Sequence, residues 1–283
     1  MRRRAPLHAH LAIFSAAAMT ALGCQPQGSE PTVAVVSELY FASEEPSGVS
    51  VGFDLDERTS DENDTGGCGI PDLQDPEGRA GIDNSFASVL PALELTEGVA
   101  VQALIQAAVN SGELLLMFEM DGLETWTPGA CVGLSVLRGT GEPKLGSNDR
   151  LLGGQTYDRN LDAPHHAIDC AEITGATLEG SPFEYRLPLQ IFDEYIDLTL
   201  LDGVIEIDML GIGEYRGRFG GGVSVQEVKD NMAMIDGVGD EVRSLIDTVL
   251  NTRADLQPDA AGICQQISVV FEFTAVSAYL FED

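Results

Sequence analysis

What most constrains this chain is how its apolar residues are parcelled. They fall into ten short runs, at residues 32–42, 49–55, 114–120, 131–137, 173–178, 183–189, 195–201, 203–210, 215–225 and 267–281, punctuated by Gly, Pro, Asp and Ser. The runs are rich in Val, Ile, Leu, Phe and Tyr, and several alternate apolar with small or polar residues, the period of a half-buried strand. Helical spacing occurs in fewer places. Asp83-Asn84 can cap a short helix through Leu90, and Thr96 a longer one through Asn110 with Val99, Leu104, Ile105 and Ala108 on one face. Ser224 with Glu227 three residues on is a capping box for a helix to about Ile235, and residues 240–252 carry Val242, Leu245, Ile246 and Val249 as an apolar stripe. The expected fold class is therefore α+β, mainly antiparallel β: a sandwich or barrel-like sheet of about nine or ten strands with three or four helices. Asp202-Gly203 is a hairpin dipeptide and should join two of the strands. No repeat of fixed period is present. One globular domain over residues 32–283 is expected, with a two-domain split in the polar stretch 139–169 as the alternative.

The first residues read as an address. Met1-Arg2-Arg3-Arg4 is a cationic start, followed by an apolar stretch from Leu11 to Leu22, too short for the roughly 20 residues that span a bilayer. Residues 1–23 thus have the layout of a secretory signal peptide. The run Ala21-Leu22-Gly23-Cys24 resembles the lipobox of bacterial lipoproteins, although Ala21 stands where that family prefers Leu. The resemblance implies cleavage before Cys24, lipidation of its thiol, and a tether over residues 24–31. Gln25 in place of an Asp implies the outer membrane or cell surface; simple secretion, with Cys24 incidental, is the alternative.

Export bears on the remaining cysteines. Cys68, Cys131, Cys170 and Cys264 are an even set and read as two disulfides, with three connectivities open. Cys68–Cys264 with Cys131–Cys170 is the favoured pairing. It staples an acidic loop to the last strand and closes a middle region. A thiolate metal site is disfavoured, since no C-x-x-C pair occurs.

Charge excludes one class of partner. With 15 Lys+Arg against 46 Asp+Glu the formal charge is −31, and removal of residues 1–23 makes it −34. Such a field repels nucleic acid and other polyanions. The acids concentrate in residues 54–83, which hold 10 of them with only Arg58 and Arg79 in opposition. Short-spaced Asp and Asn among glycines can curl round a calcium ion, which takes 6 to 8 oxygen ligands. Gly69-Ile70-Pro71-Asp72-Leu73-Gln74-Asp75-Pro76 resembles the half-repeat of thrombospondin type 3 calcium loops, over fewer than 20 residues. The expected cation ligands are Asp64, Asp72, Asp75, Asp83 and Asn84. The EF-hand pattern beginning at Asp54-x-Asp56 is not met, because Arg58 stands where an oxygen ligand belongs.

Catalytic motifs are scarce. Beyond residue 23 only His165 and His166 remain, and His165-His166-x-x-Asp169 on an extended chain would point its imidazoles to opposite sides. No nucleophile elbow is present. Glu206 with Asp208, or Asp193 with Glu194, are carboxylate pairs whose bland reading is strand and turn acids. Arg216-Gly217-Arg218 before Gly220-Gly221-Gly222 matches no phosphate-binding fingerprint. Trp126, the single Trp, is either a carbohydrate platform or a rim residue. The expected function is a non-catalytic, calcium-stabilised envelope lipoprotein that binds a glycan, peptide or protein partner. The alternative is a metal- or carboxylate-dependent envelope hydrolase.

Overall fold

A computed structural model of the chain describes residues 30–281 except 46–47, 65, 67, 92–100, 164, 192–193 and 235–238. The leader, Cys24 and most of the tether lie outside the described residues, as do Thr96, Val99 and Asp193.

The strands are β1 (Thr32–Phe41), β2 (Leu73–Gln74), β3 (Ala80–Ile82), β4 (Leu115–Asp121), β5 (Cys131–Thr140) and β6 (Gln155–Arg159), then β7 (His166–Thr174), β8 (Thr177–Ile191), β9 (Glu194–Gly211), β10 (Glu214–Ser224), β11 (Leu256–Pro258) and β12 (Cys264–Phe281). The helices are α1 (Val101–Ser111), α2 (Val225–Met234) and α3 (Asp240–Arg253), with a 3-10 turn at Ser85–Ser88. The chain is thus mainly antiparallel β with three described α-helices. Antiparallel pairings run β12–β1–β4–β5–β7–β8–β9–β10 and return to β12, so eight strands close on themselves. Closure removes most strand edges, although β8 beyond Glu179 is paired on one side only, with β9. β5 and β12 each fork. β6 joins β5 at Gly139 and Thr140, past the residues β5 pairs with β7, and β12 at Ala278–Phe281 in parallel, past the residues β12 pairs with β10.

Alternation decides the inside. On β9, Ile205 and Ile207 are buried while Glu206 and Asp208 are half-exposed. The interior is filled: Leu116, Phe118, Val136, Phe183, Tyr185, Ile205 and Phe219 meet with no room for a water molecule between them. Phe219 stacks on Phe271 with ring centres 5.0 Å apart, and Phe118 lies 5.0 Å from Phe273. The barrel therefore has a core in place of a ligand chamber. Apolar inside and charged outside is the reverse of a membrane-spanning barrel, and none of the described helices is long and apolar enough to cross a membrane.

Helix α1 covers β1 through two glutamines one turn apart. β4 pairs with β1 only from Thr32 to Val35, and the β1–β12 register slips just beyond, between Val36 and Glu38. The side chain of Gln102 accepts from Phe41 N–H at 3.0 Å and donates to Phe41 C=O at 3.1 Å. Gln106 donates to Ser37 C=O at 3.0 Å and accepts from Leu39 N–H at 3.4 Å. These amides replace ladder bonds that β4 does not supply there.

Four expectations change. Residues 49–55 form only isolated bridges (Val49 to Gln74, Phe53 to Asp83), and β12, which they cover, is already flanked by β1 and β10. The segment instead lies over the outer face of β12, where Ala42, Phe53 and Val270 bury one another. Asp83-Asn84 starts only the 3-10 turn, since the Asn84 amide donates to Ser50 Oγ at 2.9 Å rather than capping. Asp202-Gly203 makes no hairpin: β9 runs through it, with Asp202 at φ 50° and the register to β10 slipping nearby. A Cβ at Gly203 would stand 2.7 Å from the Phe183 ring, so this glycine serves close packing. The hairpin itself turns at Ile212-Gly213. At Ser224 the hydroxyl does receive Glu227 N–H at 3.3 Å, but the Glu227 carboxylate binds Thr199 N–H and Oγ1 across the sheet instead of completing the box.

The structure joins Cys68 to Cys264 and Cys131 to Cys170, with Cα separations of 5.9 and 4.9 Å. The first ties the acidic segment to the start of β12. The second crosses the β5–β7 pair.

Candidate metal centre and adjoining groove

The centre starts from one turn. Arg58 N–H donates to Asp54 Oδ1 at 2.9 Å and to Asp56 Oδ1 at 3.0 Å, so the chain wraps both carboxyls around its own backbone. The bridge between Phe53 and Asp83 then lays Asp83 alongside. Its N–H reaches Phe53 C=O at 2.8 Å, and its Oδ2 accepts from Leu55 N–H at 2.6 Å and Asp56 N–H at 3.3 Å. One oxygen from each of Asp54, Asp56 and Asp83 lies within 4.8 Å of the others. Oxygens spaced in this way can share a hard cation whose bonds are about 2.3–2.6 Å long.

Electrostatics sharpen the arrangement. Asp83 is only 3% exposed. Burial, joined by the neighbouring charges of Asp255, Asp56 and Asp72, pushes its carboxyl up to about 8 against the pull of the Leu55 N–H. Burial likewise raises Asp56, although the Arg58 N–H opposes it. No ion pair among the described residues neutralises Asp83, Asp56 or Asp54.

Of the residues expected as ligands, only Asp83 belongs to this group. Asp64 is engaged by the Arg58 guanidinium at 3.2 Å and by Gly66 N–H at 2.8 Å. Asp75, buried, takes Arg79 Nε at 2.9 Å and Arg79 N–H at 2.7 Å. Asp72 accepts from Ser60 N–H at 2.6 Å, which fixes it facing a groove rather than the centre. The Asn84 side-chain N–H donates to Ser50 Oγ at 2.9 Å, which leaves its buried Oδ1 without a hydrogen-bond partner among the described residues. Asp54 and Asp56 were the residues missed, and the Asp54-x-Asp56 spacing was their signal. Arg58 obscured it, because the turn needs only its backbone N–H while its side chain turns to Asp64.

Next to the centre is a groove of about 400 Å³ whose walls include Ile70, Pro71, Leu73, Asp72, Arg253 and Asp255. Asp255 is buried and fully bonded: Ser268 N–H donates at 2.8 Å and Ser268 Oγ–H to the other oxygen. Ser268 Oγ in turn receives Ser85 N–H at 2.7 Å, and Ser85 Oγ donates to Arg253 C=O at 2.7 Å. This chain of bonds joins the 3-10 turn, the end of α3 and β12. Burial lifts Asp255 to about 7 in spite of Ser268, and lifts Asp72 to about 6, with Asp56, Asp54 and Asp64 adding to it.

The catalytic candidates are not gathered. His165 and Asp169 are exposed and His166 half-exposed where β7 begins. Glu206 pairs with Arg218 at 2.7 Å and Asp208 with Arg216 at 3.3 Å across β9 and β10 on the outer face, so neither the acids nor the arginines line a cleft. The glycines between are packing positions: a Cβ at Gly217 would meet Glu206 O at 2.1 Å and the Phe273 ring at 2.6 Å. Trp126 donates its indole N–H to Ala176 C=O and lies 6.3 Å from the Tyr215 ring, half-buried at one end of the barrel. No protein-family model, curated protein or solved structure matches the chain.

Proposed function

We propose that this chain is a non-catalytic, lipid-anchored protein of the cell envelope, exported through residues 1–23 and held at the outer membrane or cell surface by Cys24. In this reading a calcium ion at Asp54, Asp56 and Asp83 locks the acidic segment onto the barrel. The adjoining groove is where a glycan, peptide or protein partner is held. The observation that carries the reading is the convergence of three carboxyls around a buried, unneutralised Asp83. Calcium suits an all-oxygen set better than zinc or copper, which favour nitrogen and sulfur. The filled, closed barrel suits a rigid support for a surface loop.

Thermal melts in chelator and in millimolar calcium test it. Calcium at about 100 times its Kd should add roughly 2.7 kcal/mol of stability. The Asp54→Asn, Asp56→Asn double variant should melt alike in both buffers. Superimposed curves for the wild type would end the calcium reading. Intact mass of the exported protein tests the anchor, since a diacylated Cys24 is heavier than a free thiol.

A second reading has one observation in its favour: Asp72 and Asp255 line one groove with raised carboxyls, the pattern of a carboxylate-dependent hydrolase. Ser268 holds both oxygens of Asp255, which favours a structural role. Hydrolysis of envelope glycans that is lost in Asp72→Asn, with folding intact, would reverse the order of the two readings.

A further inference from the structure

Strand registers determine which loops share an end of the barrel. Thr32 pairs with Met120, Asp121 with Gly133 and Cys131 with Glu172. Thr174 pairs with Thr177, Thr177 with Asp208, Gly211 with Glu214, Glu214 with Val276 and Ala278 with Val33. The entry into β1, the β4–β5 loop, the β7–β8 and β9–β10 turns and the close of β12 therefore lie together. This same end carries large apolar side chains in solvent. Ile212, at the tip of the β9–β10 turn between two glycines, is fully exposed at 105%. Leu210, Tyr279 and Phe281 are each more than half exposed. Leu152 joins them, because Gly154 N–H donates to Ser277 C=O at 2.7 Å while Ser277 N–H donates to Gly213 C=O at 2.8 Å.

An Ile at such a tip gains nothing from the fold, since it buries no surface, and a turn between two glycines does not require it. Scattered exposed apolar residues are ordinary, but a group gathered at one end marks a contact surface. The chain outside the described residues indicates which contact. β1 begins at this end with Thr32. Cys24 is 8 residues before Thr32. At about 3.5 Å per residue the connection reaches roughly 28 Å at most. A lipid on Cys24 would therefore keep the apolar end close to the bilayer. The net charge of −31 gives no electrostatic pull toward anionic lipid, so contact must be made by apolar side chains.

We propose that this end of the barrel docks end-on against the bilayer that holds Cys24, with Ile212 inserted at the headgroup level and Leu210, Tyr279 and Phe281 around it. The proposal rests on the lipid-anchor reading. It directs the acidic segment and groove, which lie on the barrel's flank, along the membrane surface or away from it instead of into it.

The test uses the exported full-length chain on zwitterionic phosphatidylethanolamine–phosphatidylcholine vesicles, with Ile212→Trp in a Trp126→Phe background as the reporter. Brominated acyl chains should quench most of its fluorescence and shift its emission to the blue on binding. In the wild type, Ile212→Ser with Leu210→Ser should leave flotation with vesicles intact, because Cys24 still holds. A protein that floats with vesicles while the residue-212 reporter stays unquenched overturns the docking and spares the anchor. Failure to float, with a free Cys24 thiol by intact mass, overturns the anchor and the docking with it. If the Cys24→Ser chain dimerises in solution and Ile212→Ser returns it to monomer, the end is a self-association face and the proposal falls.

Discussion

At Asp83 the backbone bridge to Phe53 places a carboxyl where burial and three neighbouring acids all oppose its ionisation. An acid raised in the folded state releases its proton more readily once unfolded, so stability is greatest at low pH and falls as pH rises between the two values. For Asp83 that window runs from the ordinary 3.8 to about 8, and for Asp255 from 3.8 to about 7. In chelator, the melting temperature should therefore fall from pH 5 to pH 8 and then level off. Asp83→Asn should flatten much of the slope. Calcium, which binds the ionised form, should raise the melting temperature more at pH 8 than at pH 5. A chelated protein whose stability rises over that interval would refute this account of Asp83. The same residue shows what reading a sequence leaves out. Its proximity to Asp54 and Asp56 depends on one isolated bridge spanning 30 positions, and no local pattern announces such a bridge.

Individual elements show where local signals held and where contacts overrode them. Runs rich in β-branched, aliphatic and aromatic residues marked β1, β4, β5, β8, β10 and β12, and β1 and β4 are buried along most of their length on both faces. The local signal failed at 49–55, where an alternating run covers the outer face of β12 without joining the ladder. It failed again at Asp202-Gly203, whose turn chemistry is used for a bulge beneath Phe183. Helix α1 was legible from its apolar face, yet the glutamines that dock it were not, since their partners are backbone groups on the edge of β1 that β4 leaves after Val35. Gln106→Ala leaves Ser37 C=O and Leu39 N–H without these bonds. Loss of a buried partner costs about 1–3 kcal/mol, read as a lower midpoint in urea with an unchanged slope. Gln106→Glu should be harmful as well, because the Ser37 carbonyl needs a donor.

Over the whole molecule, covalent closure works on the unfolded chain. Cys68–Cys264 spans 196 residues and Cys131–Cys170 spans 39. Loop entropy grows as the logarithm of length, so removing the longer link should cost about 1.4 kcal/mol more than removing the shorter one. Urea midpoints of the two double Cys→Ser variants give the comparison; equal losses would indicate that the acidic segment is already held by its other contacts. The sequence by itself determined the class of fold, most of the strand-forming runs, the strongly acidic net charge and the concentration of acid in residues 54–83. These follow from periodicity and charge, which are local or additive. Tertiary structure alone decided that eight strands close into a filled ring, that Asp54 and Asp56 rather than Asp64 and Asp75 approach Asp83, and that the apolar tips share an end with the entry to β1. Each depends on which residues distant in the chain become neighbours, and that is set by strand register and packing.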